Sequence, residues 1–110
     1  MSDQDWKYEL VIQFDDEQGD AIDRVIAFED ELIELLDGVA EVEGHDVDKG
    51  VANIFILTNA PAKLWERLEP LVEDSDANEL DALAAAYRKV DSETFTVLWP
   101  TDYEGEFEVS

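Results

Sequence analysis

An α+β sandwich, with two helices on one face of a four- to five-stranded, mainly antiparallel sheet, follows from three observations. The apolar pattern of the 110-residue chain alternates between a period of two and a helical repeat. The elements come in the order strand, helix, strand, strand, helix, then one or two strands. Gly, Pro or a run of acids stands at most of the boundaries between them.

The first strand spans Trp6 to Phe14. Trp6, Tyr8, Leu10, Ile12 and Phe14 alternate with Lys7, Glu9, Val11 and Gln13, as one buried face requires. Asp15-Asp16-Glu17-Gln18-Gly19 breaks the pattern as a polar loop. Asp20 to Asp37 then reads as a helix. Ile22, Val25, Ile26, Ile33 and Leu36 fall near one stripe, and Phe28, Leu32 and Leu35 widen it. Asp20 suits the N-cap, Asp23 suits the positive end of the dipole, and Gly38 suits the C′ position. Glu29, Asp30, Glu31 and Glu34 cover the outward face.

Val39 to Val47 and Val51 to Thr58 form a hairpin. Its turn is Asp48-Lys49-Gly50, where Gly accepts a positive φ. The second arm is apolar on both faces, which suits an interior strand. Pro61 opens a second helix over 62–72, and Pro70 is expected to end or kink it. Glu73 to Glu79 is a polar loop. Leu80 to Tyr87 fits a helix or the entry to a strand. Thr94 to Trp99 is a strand by its β-branched and aromatic content, stopped by Pro100. Tyr103, Gly105, Phe107 and Val109 alternate with glutamates, as an edge strand or an unpaired arm would.

This order matches the split β-α-β arrangement of a ferredoxin-like sandwich in one acidic domain over residues 1–110. The first strand is then central, with the second hairpin arm beside it. One row of that arm, either Phe55 and Leu57 or Ile54 and Ile56, points away from the helices. An uncovered apolar row predicts an interface or a covering tail, here the C-terminal segment. A homodimer stacked on its sheets is the alternative.

Gly44-His45-Asp46, Gly50, Asn53-Ile54-Phe55-Ile56 and Val97-Leu98-Trp99-Pro100 together resemble a group of small, uncharacterised bacterial α/β proteins with a ferredoxin-like fold. The resemblance spans most of the chain. It implies a small bacterial α/β domain, no activity and no functional residues.

Thirty acids against seven bases give a formal charge of −23. A basic face for DNA, RNA or anionic lipid is excluded on that balance. Residues 1–55 carry seventeen acids and three bases, and the rest carry thirteen and four, so the charge is not confined to a tail. A 45% hydrophobic and 10% aromatic content argues against disorder. No cysteine is present, which removes disulfides, thiolate nucleophiles and Cys-based metal sites. The first residues lack a signal-peptide pattern, and no apolar run is long enough to span a bilayer. A cytoplasmic location is the expectation.

His45 is the sole histidine, close to Glu43, Asp46 and Asp48. A base or metal ligand flanked by carboxylates is one reading; a surface histidine is the blander one. No Ser-His-Asp set can be assembled. Asp74-Ser75-Asp76-Ala77-Asn78 begins like an EF-hand loop. It has Glu79 where Gly is needed and Ala85 where a bidentate Glu is needed. No Gly-rich phosphate loop follows a strand. Trp6, Trp65 and Trp99 suit the core or its rim.

No enzyme, no cofactor and no metal are therefore expected. The charge points to a non-catalytic protein-binding module. It would act like an immunity protein or an inhibitor, through an acidic face that attracts a basic partner. The expected contact residues are Asp15, Asp16, Glu17, Asp20, Glu31 and Glu34. A dimeric ligand-binding or regulatory ferredoxin-like domain is the alternative. An evenly spread acidic coat, serving solubility or adaptation to salt, needs no partner at all.

Overall fold

Seven elements follow the chain: β1 (Tyr8–Asp15), α1 (Ile22–Leu35), β2 (Glu41–Asp48), β3 (Val51–Thr58), α2 (Pro61–Glu73), β4 (Ala82–Lys89) and β5 (Thr96–Trp99). The computed structural model describes residues 6–16, 22–48, 50–73 and 82–99. The strands form one sheet in the order β2-β3-β1-β4-β5, and every neighbouring pair is antiparallel. The loop around Gly19, the Asp20 cap, the Asp74 to Asn78 stretch and the tail beyond Trp99 lie outside the described residues.

The period of two in β1 decides how the layers stack. Leu10, Ile12 and Phe14 face both helices, together with Ala52, Ile54 and Ile56 of β3 and Ala85 of β4. Helix α1 supplies Val25, Phe28, Leu32 and Leu36 to this core, and α2 supplies Leu64, Trp65 and Leu68. Phe14 and Phe28 meet edge-on at 5.9 Å. Trp99 is half-buried and packs against the buried Trp65 at 6.0 Å, and Trp6 is half-buried. Both helices thus cover the same side of the sheet.

The row pointing away from the helices is the one that holds Phe55. With Phe95 and Val97 it packs over Val11, Ala84 and Ala86. The second face of β1 is more enclosed than its polar letters imply. Val11 is fully buried, Glu9 is 8% exposed, and Gln13 donates from Nε2 to Oδ1 of the buried Asn53 at 3.1 Å.

The turns follow their glycines. Gly50 has φ +82° and closes the tight connection between Asp48 and Val51, which pair directly. Gly38, also at +82°, ends the turn after α1, where the Val39 and Ala40 amides both donate to the Leu36 carbonyl.

One element differs from expectation, and one open alternative is resolved. Helix α2 runs through Pro70 to Glu73. The hydrogen bond lost is the one to the Glu66 carbonyl. Pro70 and Glu66 are both exposed, so water can satisfy that carbonyl. The ambiguous 80–89 region is the strand β4, paired with β1 from Tyr8↔Lys89 to Phe14↔Ala82. Alanine favours helix by intrinsic propensity, and the open edge of β1 overrides it.

Candidate functional site

Helix α1 builds an acidic surface from its unburied positions. Asp23, Asp30, Glu31 and Glu34 are exposed, and Asp37 follows in the next turn. Its last turn holds no base, so Glu34 and Asp37 stand uncompensated at the negative end of the helix dipole. Three apolar side chains remain uncovered on the same helix: Ile26 at 39%, Ile33 at 50% and Leu35 at 41% exposure.

The expected contact residues separate. Glu31 and Glu34 lie on this surface. Asp15 is half-buried at the end of β1, and Asp16 is buried, its amide donating to the Gly50 carbonyl at 2.8 Å. Glu17 and Asp20 lie outside the described residues.

A second concentration of charge occupies the sheet face away from the helices. Glu9 of β1 stands opposite Arg88 of β4; Arg88 Nε donates to Oε1 of Glu9 at 3.1 Å, and Nη2 lies at ion-pair distance from the same oxygen, also 3.1 Å. Arg88 Nη1 also donates to the carbonyls of Lys89, Val90 and Ser92, at 3.2, 3.0 and 2.8 Å. One side chain thus ties the central strand to the β4–β5 connection.

Glu43 completes the group through a break in register. The β2–β3 pairing shifts between Val42 and Gly44, a bulge that leaves Glu43 unpaired on the ladder. Gly44 takes φ +153° there. Glu43 shares a hydrogen bond with Glu9, which raises its pKa above the ordinary glutamate value. Burial and the Glu9 charge add to the rise, and Arg88 partly offsets it. Glu9, Glu43 and Arg88 line an open cavity of about 720 Å³, with Phe55, Phe95, Asp91 and Glu93. Four acids against one arginine favour a cationic occupant over an anionic one.

In sequence Glu43 stands beside His45, and nothing there marks Glu9 or Arg88 as its neighbours. Glu9 looked like an outward polar position in an alternating strand. The available signal was an arginine in a strand-like stretch rich in alanine. His45 belongs to the other side of β2. Its Nδ1 lies 3.1 Å from Glu29 Oε1 on α1, a carboxylate partner from another element. Among the described residues no group of three His, Asp or Glu side chains could hold a metal ion. No helix among them is long and apolar enough to cross a membrane.

No family model matches the chain, and no match is found among curated proteins or solved structures.

Proposed function

We propose that the protein is a non-catalytic binding module, immunity-protein-like or inhibitory, that captures a basic partner through the outer face of α1. The supporting observation is the make-up of that face. Ile26 and Ile33, two turns apart on one flank, are uncovered beside Asp23, Asp30, Glu34 and Asp37, while Leu35 lies on the opposite flank of the helix. An exposed apolar pair running beside an acidic stripe suits a partner helix with apolar and basic stripes. A basic residue arriving at Glu34 and Asp37 also relieves the unfavourable charge at the helix end. Glu31 and Glu34 belong to this contact, with Asp15, Glu17 and Asp20 as its extension; Asp16, 6% exposed, is not available to a partner. A cytoplasmic setting is part of the same proposal.

The test is calorimetric titration with a designed Lys/Leu amphipathic helical peptide. Binding weakens about tenfold with Glu31→Gln combined with Glu34→Gln, and again with Ile33→Ala. Raised salt weakens it further. Affinity that ignores these substitutions rejects the α1 face.

We also propose a ferredoxin-like split β-α-β arrangement for the first four strands, with β5 added at the edge. The order β2-β3-β1-β4, antiparallel throughout, and the two helices on one face support it. A second reading, a dimeric ligand-binding or regulatory domain, draws on the cavity around Glu43 and Phe55.

A further inference from the structure

Lys63 and Arg67 stand one turn apart on α2, both exposed. Like charges at this spacing repel. Glu66 sits on the same helix, yet neither base makes an ion pair among the described residues. Both line a cavity of about 470 Å³, with Trp6, Val39, Asn59 and Leu64 on its walls. That volume is in the range of small-molecule sites.

The charged side chains that line this cavity are both basic. Among its described lining residues there is no Asp or Glu, although the chain carries thirty. The indole Nε1 of Trp6 is buried and finds no acceptor among the described residues. Asn59 has its Oδ1 occupied by the Lys7 amide at 2.8 Å, which leaves its amide nitrogen to donate. The same bond fastens the start of β1 to the N-terminal end of α2. The positive end of the α2 dipole lies at Pro61, close to Asn59. Val39, 47% exposed, and Leu64 supply an apolar wall.

We propose that this cavity binds a small organic oxyanion, its carboxylate or phosphate group held by Lys63 and Arg67 and its apolar body against Val39, Leu64 and Trp6. The charge of the whole molecule opposes anions, so the site selects by short-range contacts and not by steering. Arg67 offers a planar fork to two oxygens, and Lys63 offers a point charge.

The experiment follows the indole N–H resonance of Trp6 in the full chain by ¹H–¹⁵N correlation, with Trp6→Phe identifying the peak. Phenyl phosphate and benzoate are titrated at constant ionic strength, with sodium chloride as the control. A saturable displacement with either organic anion and none with chloride is expected. The tighter probe tells phosphate from carboxylate. Lys63→Gln combined with Arg67→Gln should weaken that binding at least tenfold while the backbone spectrum stays dispersed. No saturable displacement, an equal response to chloride, or undiminished binding by the double variant overturns the proposal.

Discussion

Arg88 sets Nε and Nη2 on a single oxygen of Glu9, each at 3.1 Å, from directly across the β1–β4 ladder. Glu9 is only 8% exposed, so its charge depends on this partner. Removing one member of a buried pair costs more than the pair contributes, because the other charge is stranded. Arg88→Met is expected to lower the unfolding free energy by about 3 kcal/mol. Adding Glu9→Gln should restore much of that loss. Arg88→Lys should recover little, since one ammonium cannot serve both Glu9 and three carbonyls. Urea unfolding of the four members of the Glu9/Arg88 cycle measures the coupling, and a value near zero contradicts the finding.

Glu43 gives the fold a pH dependence of unusual sign for an acid. Its pKa is raised in the folded state, first by the hydrogen bond to Glu9. The folded chain therefore binds more protons than the unfolded chain between the two values. The resulting stability is full below the ordinary glutamate value and is lost as pH rises through the folded value. Glu43→Gln keeps a hydrogen-bonding amide and removes the titration. Its stability advantage over the parent should grow as pH rises above about 4 and level off once the pH has passed the raised folded value. Paired urea titrations across that range check it, and taking the difference cancels the general repulsion of the acidic surface. A difference that is flat with pH removes Glu43 as the cause.

The elements that rest on local pattern were legible from the residues. Leu10, Ile12 and Phe14 announce the buried face of β1, and Gly50 announces the turn between β2 and β3. Elements that depend on a distant strand were not. Ala82 to Lys89 is a strand because β1 offers it an open edge, which no count of alanines reveals. The acidic face of α1 could be read from Glu31 and Glu34, since helical spacing alone puts them outside. The Glu9–Glu43–Arg88 group could not, because a one-residue bulge brings Glu43 across β3 toward β1. His45 shows the same limit: its carboxylate partner, Glu29, comes from sixteen residues away on another element.

The bulge itself can be tested at Gly44. Its φ of +153° is one that side-chain-bearing residues rarely adopt, and a Cβ there meets nothing within 4 Å. Any cost of Gly44→Ala is therefore backbone strain and not a clash. A loss of about 1–2 kcal/mol is expected from that strain. Displacing the bulge should also separate Glu43 from Glu9, so the variant should lose the pH-dependent difference described for Glu43→Gln. Unfolding at pH 4 and pH 7 reads both effects. A variant as stable as the parent at both pH values places the bulge outside the stability of the sheet.

Phe28 and Ile33 lie five residues apart on α1 and should behave in opposite ways. Phe28 is 2% exposed and packs edge-on against Phe14, whereas Ile33 is 50% exposed. Phe28→Ala opens a cavity between the helix and the sheet, and a loss of about 3–5 kcal/mol is expected. For a domain with a typical total stability of roughly 5–15 kcal/mol, that leaves it close to unfolding. Ile33→Ala removes a side chain already half in water, and its effect should stay within about 0.5 kcal/mol. Alanine also favours the helix over isoleucine, which offsets part of the lost contact. Urea midpoints at unchanged slope measure both variants. A large loss from Ile33→Ala would mean that this side chain belongs to the fold, and the α1 face could not then be assigned to a partner.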